Sequence, residues 1–338
     1  MKHCFRASAW LKIVWGVPAT LMALLLHAEP KESPRFVLSV LVASDGSRWA
    51  GTEGEGLFVR GGGSECDWRR DMEFASVGGT NVFALCEDSA GRVWAGTLDH
   101  GVCVHDQQGW TRFSVEEGLP GSHVFALCAD SDDNVWVSTD GGICRYSRSE
   151  NCLFLYDRAS GFEGGEVVAL AASPRGDVLI GTACNGVYRA RRKDSWRVLE
   201  RVQTRAVRVN DISISRKGSC LLVSNEGVEY DEKCSGSDFK VAWVRQPGRP
   251  KPLACAFSED VLLVGFEEHG LKTFSGTVLK SSIWRDYSKD RITALSCNKY
   301  VGLAGTYGAG VVEWSEVRRG GVANPRKQQR GFTCRKRF

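Results

Sequence analysis

The chain of 338 residues holds 44 lysines and arginines, 40 aspartates and glutamates, and 13 cysteines. The formal charge of +4 is unevenly placed: three basic residues fall in the first 28 and eight in the last 21, so residues 29–317 carry 33 basic against 40 acidic side chains. An acidic body argues against nucleic acid as a partner, because phosphate binding demands a basic surface.

At the N-terminus, Lys2, Arg6 and Lys12 accompany an apolar run from Ile13 to Leu26, and His27-Ala28 precedes polar Glu29-Pro30. A basic start, a short apolar core and a small residue at its end define a secretory signal. Residues 1–28 are therefore expected to be cleaved and the protein to be periplasmic or extracellular. The run is about 14 residues, below the 18 or so that span a bilayer. No stable membrane span is expected after cleavage, and a retained anchor is the alternative.

From residue 36 one unit recurs. Its second strand ends in a small-residue element: Trp49-Ala50-Gly51-Thr52, Trp94-Ala95-Gly96-Thr97, Trp136-Val137-Ser138-Thr139, Ile180-Gly181-Thr182, Leu222-Val223-Ser224, Val264-Gly265-Phe266 and Ala304-Gly305-Thr306. The equivalent small positions are 45, 42, 43, 42, 42 and 40 residues apart. Each unit opens on an apolar run such as Val82–Glu87 or Val124–Ala129, as suits a strand buried on both faces. A polar turn follows, Ser89-Ala90-Gly91 or Pro174-Arg175-Gly176, of residues that tolerate tight hairpins. A glycine then starts strand three, as at Gly101, Gly142 and Gly186, and strand four alternates aromatic and polar residues, as in Trp110–Phe113. A strand-rich period of about 40 to 45 residues predicts an all-β, seven-bladed β-propeller of four-stranded antiparallel blades over residues 29–317. Its seventh unit shows three strands ending at Trp314. A fourth would come from residues 30–36, from the tail, or not at all. Residues 318–338 contain eight basic and no acidic side chains, the composition of a solvated, disordered end.

The pattern Gly118-Leu119-Pro120-Gly121-Ser122-His123-Val124, followed by Asp130, Val135-Trp136-Val137-Ser138-Thr139 and Gly142-Ile143, resembles the two-component-regulator propeller repeat. The likeness extends over residues 36–317, strongest in units two and three and weakest in five and six. It implies an extracytoplasmic sensor propeller of the kind found in hybrid histidine-kinase systems. No second apolar span, kinase-like segment or further domain follows the repeats, so the chain reads as a sensor-type propeller without an output domain, standing alone or cut from a longer gene.

In propellers the loops after strands two and four meet around the central axis. The first set supplies Glu53, Glu55, Asp99, His100, Asp140, Asn185, Asn225, Glu226, Glu267, Glu268, His269 and Tyr307; the second supplies Asn81, His123, Glu166, Asn210 and Arg291. Carboxylates, amides, imidazoles and a phenol can exchange hydrogen bonds with sugar hydroxyls, and their local acidity suits a neutral, hydroxyl-rich or cationic ligand. The expected ligand-binding residues are His100, His123, Glu166, Asn185, Asn225, Glu267, His269 and Tyr307, and the expected partner is a small molecule or oligosaccharide. A protein-interaction scaffold is the alternative. A third reading is an enzyme: the streptogramin-lyase propellers share the Asp-x-x-Gly-x-Val-Trp strand pattern and use histidine with a metal. No two or three residues form a recognisable catalytic constellation, so no catalytic residue, cofactor or metal is assigned. No Cys-x-x-Cys occurs and no His/Cys spacing suggests zinc. Cys86 with Cys128, and Cys103 with Cys144, repeat at matching positions of adjacent units and read as small buried hydrophobes. Cys144 and Cys152 flank one predicted hairpin and are the best-placed disulfide pair.

Overall fold

A computed structural model describes residues 33–322, apart from 63–66, 237, 259–260, 276–277, 280–289, 299, 316 and 319–320; for 274–275, 278–279, 315, 317–318 and 321–322 it describes the backbone alone. Residues 1–28, read as a leader, and nearly all of the basic tail lie outside the described residues. Among those described, no helix is long and apolar enough to cross a membrane.

The strands form seven successive meanders. Blade 1 contains β1 (Val37–Val42), β2 (Arg48–Thr52), β3 (Leu57–Arg60) and β4 (Arg69–Arg70). Blade 2 contains β5 (Val82–Glu87), β6 (Val93–Thr97), β7 (Val102–Asp106) and β8 (Gly109–Phe113); blade 3 contains β9 (Val124–Ala129), β10 (Asn134–Thr139), β11 (Gly142–Ser147) and β12 (Cys152–Tyr156). Blade 4 contains β13 (Val167–Ala172), β14 (Val178–Thr182), β15 (Val187–Ala190) and β16 (Leu199–Arg201); blade 5 contains β17 (Val209–Ile214), β18 (Cys220–Ser224), β19 (Gly227–Asp231) and β20 (Lys240–Val244). Blade 6 contains β21 (Pro252–Ser258), β22 (Val261–Phe266), β23 (Leu271–Ser275) and β24 (Val278–Leu279). Blade 7 has three described strands, β25 (Ile292–Cys297), β26 (Val301–Thr306) and β27 (Gly310–Ser315), and a separate hairpin pairs β28 (Val317–Arg318) with β29 (Gly321–Val322).

The predicted seven-bladed, all-β architecture is what the chain adopts. Each of the seven interfaces between neighbouring blades holds its own apolar cluster. The repeated small residue of strand two exists for these interfaces. A Cβ on Gly51 would stand 2.6 Å from Val82 Cγ1 at the start of the next blade, and one on Gly305 would stand 2.6 Å from Val37 Cγ1. Glycine thus lets adjacent blades approach to van der Waals contact. Blade 3 substitutes Ser138, whose hydroxyl bonds the Val167 carbonyl at 3.0 Å.

The Gly305–Val37 contact joins the last blade to the first. Thr293 Oγ1 donates to the Val37 carbonyl, Val42 N–H donates to Ser296 Oγ at 3.0 Å, and Arg48 pairs with Glu313 at 3.1 Å. Residues 33–36 add no fourth strand to blade 7; Phe36 forms only an isolated bridge with Tyr307. Among the described residues, the ring closes by side-on packing of the first and last blades.

The Asp-x-x-Gly-x-Val-Trp element is a hydrogen-bonded turn. The buried Asp88 carboxylate accepts from Ala90 N–H, from both N–H and Nε of Arg92, and from Trp94 Nε1 at 2.9 Å. Asp130 repeats the arrangement with Trp136 Nε1 at 3.0 Å. Burial by itself would raise the Asp88 pKa, but the Trp94 indole and the Arg92 donors outweigh it and hold the carboxyl below the usual aspartate range. A depressed folded pKa gives stabilisation that is complete above the unfolded value near 3.9 and is lost as pH falls through the folded one. Asp88→Asn is expected to lower the urea midpoint at pH 7, with the gap from wild type closing below about pH 4. A gap that stays constant down to pH 3 would show that the carboxylate charge is irrelevant.

One six-residue helix, α1 (Met72–Val77), interrupts the β pattern between blades 1 and 2. Asp71 caps it by accepting from Phe74 N–H and also accepts from Trp110 Nε1 at 3.2 Å. Phe74 is fully buried with its ring 4.9 Å from that of Trp110. Register rules out the best-placed disulfide pair: Cys152 stands opposite Ser147, and Cys144 opposite Leu155. Cys144 and Cys152 are therefore displaced by three residues along the ladder, about 10 Å, beyond the reach of a disulfide.

Candidate functional site

In every blade the first residue after strand two donates its backbone N–H to the carbonyl of the residue just before strand one. The seven bonds run from Glu53 to Phe36, Leu98 to Asn81, Asp140 to His123, Ala183 to Glu166, Asn225 to Arg208, Glu267 to Lys251 and Tyr307 to Arg291, at 2.8–3.2 Å. The threonine that ends strand two completes the loop: Thr97 Oγ1 donates to the Gly101 carbonyl and accepts from His100 N–H, and Thr182 does the same with Gly186 and Asn185. Seven pairs of side chains are thereby fixed at one rim of the ring of innermost strands.

Of the expected site residues, His123, Glu166, Asn225, Glu267 and Tyr307 belong to these pairs. His123 stands between two carboxylates, with Nε2 3.2 Å from Asp99 Oδ1 and Nδ1 3.7 Å from Asp140 Oδ2. Glu166 is exposed. Asn225 Oδ1 accepts from Asn210 Nδ2 at 3.3 Å. The Tyr307 hydroxyl donates to Glu53 Oε2 at 2.6 Å, the Arg291 guanidinium lies 5.8 Å from its ring centroid, and Phe36 packs 5.1 Å away. The Glu53 carboxylate, by accepting that bond, raises the phenol pKa. His100, Asn185 and His269 each fall two residues further along the same loops. The His100 ring lies against Gly79, in the connection from blade 1 to blade 2, and Asn185 Nδ2 donates to the Gly164 carbonyl at 2.7 Å. Asn185 is thus committed to holding the rim together, while His269 is exposed.

The structure moves one residue and adds three. Asn210 does not match Asn81 and His123: it lies inside β17 and donates to the Pro252 carbonyl of blade 6 at 2.7 Å. The matching position is Arg208, followed around the rim by Lys251 and Arg291, and Phe36 completes the set. A bulge follows the first residue of the first strand in both blade 2 and blade 5, after Val82 and after Val209, which makes Arg208 the equivalent of Asn81 and sets Asn210 two residues further on. The signal available in the sequence was Val209, which aligns with Val82 and Val124.

These additions correct the electrostatics. Blades 1–4 bring Glu53, Asp99, Asp140 and Glu166 to the rim, whereas blades 5–7 bring Arg208, Lys251 and Arg291. The face is acidic across blades 1–4 and of mixed sign across blades 5–7, where Glu226 and Glu267 stand beside the basic residues. Among the described residues no group of three or more His, Cys, Asp or Glu side chains is placed to hold a metal ion.

Comparison with known sequences places the two best-formed repeats. Residues 76–99 and 118–141 match the family described as two component regulator propeller. Those two segments therefore match two-component-regulator propeller repeats. No curated protein sequence matches it. Among solved structures, the propeller is similar to the extracellular domain assigned to the hybrid two component system BT3049 of B. thetaiotaomicron, with 16% identity and a TM-score of 0.66. It is equally similar to that of the one component system BT4673 from the same organism, with 17% identity and a TM-score of 0.66. Each alignment covers 83% of this chain, which spans only 40% and 39% of those two domains. A catalytically inactive virginiamycin B lyase from Staphylococcus aureus with quinupristin is also similar, at 11% identity, a TM-score of 0.65 and coverage of 83% of this chain and 95% of that one. At these identities the likeness is one of fold.

Proposed function

We propose that this chain is an exported, non-enzymatic sensor propeller that binds a small molecule or glycan fragment at the rim described above. The observation that carries the reading is the seven-fold backbone linkage at that rim, which brings polar side chains from every blade to one opening. Carboxylate acceptors around the rim, joined by guanidinium and ammonium donors in blades 5–7, suit a ligand with many hydroxyls and a neutral or mixed charge. The repeat family and the two sensor-system domains of like fold support this reading. Export follows from the composition of residues 1–28, and the mature chain should begin near Glu29.

The test is calorimetric titration against neutral, amino-bearing and carboxylated oligosaccharides, with a turnover assay on the same compounds. His123→Ala combined with Glu267→Ala is expected to weaken binding at least about tenfold, roughly 1.4 kcal/mol. The melting temperature should hardly change, because both side chains lie in loops outside the packed sheets and exposed ion pairs contribute little. Turnover, or full-strength binding by the double variant, would end this reading.

A further inference from the structure

Blade 5 contains a feature that no rim function uses. Cys220 opens β18 and is fully buried; Asp231 stands opposite it at the end of β19. The chain then folds back over that pair. Asp231 Oδ1 accepts from Lys233 N–H at 2.9 Å, and Oδ2 accepts from Ser235 Oγ at 2.9 Å and Gly236 N–H at 3.0 Å. Wrapped around this carboxylate, Cys234 adopts φ +47°, a conformation that a residue with a Cβ keeps only where its surroundings demand it. The result places Cys234 in the same apolar cluster as Cys220, between blades 4 and 5, where the two thiols interact electrostatically.

We propose that Cys220 and Cys234 are a redox-active pair that forms an intramolecular disulfide by exchange with a low-molecular-weight disulfide of the glutathione type. Cys234 is the attacking thiol. The neighbouring Cys220 thiol lowers its pKa against the opposing effect of burial, whereas burial drives Cys220 up. Cys234 is itself 9% exposed, in a turn whose preceding residues, Glu232 and Lys233, are exposed. Cys234 Sγ attacks one sulfur of the small disulfide, and the expelled thiolate takes up the proton that Cys234 gave. Cys220 Sγ then attacks the Cys234 sulfur of the mixed disulfide, and the second small thiolate leaves with the Cys220 proton. Two protein thiols are oxidised to one disulfide while one small disulfide is reduced to two thiols.

The sequence makes the test direct, because trypsin cleaves after Lys217, Lys233 and Lys240 and leaves Cys220 alone in residues 218–233 and Cys234 alone in residues 234–240. The full chain, purified reduced, is incubated with oxidised glutathione, quenched in acid, alkylated in denaturant and digested without reduction. The expected species is the two peptides joined at their summed mass less two hydrogens, disappearing on reduction. In Cys220→Ser, Cys234 should stop at the glutathione adduct; in Cys234→Ser, Cys220 should remain alkylated. Exposed Cys184 reports that the oxidant was active. Modification of Cys184 with both test peptides alkylated, or either test cysteine joined to a third, would overturn the proposal.

Discussion

Replacing Trp136 by alanine is expected to destabilise the propeller by about 3 to 5 kcal/mol, the largest loss from any single tryptophan of the repeat. Trp136 is fully buried, stacks 5.0 Å from Tyr156, and sits in the cluster joining blades 3 and 4. Two losses combine. The cavity removes apolar contact across an interface, and the buried Asp130 carboxylate forfeits the indole donor it now holds at 3.0 Å. Trp136→Phe separates them by restoring most of the volume and none of the donor, so it should fall between wild type and alanine. Trp94→Ala should cost nearly as much, since Trp94 makes the same bond to Asp88, and Trp49→Ala less, because its indole reaches only Ser47 Oγ. Urea midpoints followed by far-UV circular dichroism measure all four. Wild-type stability for Trp136→Ala, with altered ligand affinity instead, would recast the side chain as a binding platform.

The second large effect has the opposite sign. Asp211 occupies the position in innermost strand β17 where blades 2, 3, 4, 6 and 7 have Ala84, Ala126, Ala169, Ala254 and Ala294. Its carboxyl accepts from Ile212 N–H and Cys255 N–H, both at 2.8 Å, yet burial dominates and pushes the pKa up to about 7. An acid raised in the folded state binds its proton more tightly there than in the unfolded chain. Its stabilising share is therefore complete below about pH 4 and is lost progressively as pH rises towards 7. Asp211→Ala should gain on wild type across that window by on the order of 2 to 4 kcal/mol, the upper figure being three pKa shifts of one unit at about 1.4 kcal/mol each. The lower end allows for the partial solvent contact that Asp211 retains. Paired urea titrations at pH 4 and pH 8 read the difference directly. A variant whose offset from wild type is the same at both pH values would mean that Asp211 ionises normally in the fold.

Much of this molecule was legible because its repeat obeys steric rules. Six small residues recur since a Cβ at Gly51 or Gly305 would strike the neighbouring blade, so spacing alone located every interface, even the seventh, where Val223 stands instead. The rim was legible to the extent that loop identity suffices: His123, Glu166, Asn225, Glu267 and Tyr307 fall in register. Arg208 and Lys251 were missed because identifying them requires the bulge position to be fixed to a single residue, and a run such as Val207-Arg208-Val209 offers two apolar starting points. Helix α1 left no trace because six residues complete too few turns to show a period, and Asp71 was its one mark. Hairpin register misled the cysteine reading: a four-residue connection places Cys152 opposite Ser147, whereas Cys234 reaches Cys220 through an aspartate-centred turn that no spacing rule describes.

The side-on closure of blade 7 against blade 1 has a consequence for how the ring responds to damage. Six of its joints are tethered by short connections, so a weakened contact there is re-formed at the high effective concentration that a short linker supplies. The Gly305–Val37 joint is tethered only through the rest of the chain, and its partners behave more like the two halves of a reversible dimer. Closing it costs the entropy of a loop of more than 260 residues, a cost that rises only slowly with length. The integrity of the whole circle, and with it the geometry of a rim built from all seven blades, therefore depends on the one interface around Val37, Val40, Thr293, Ser296 and Gly305.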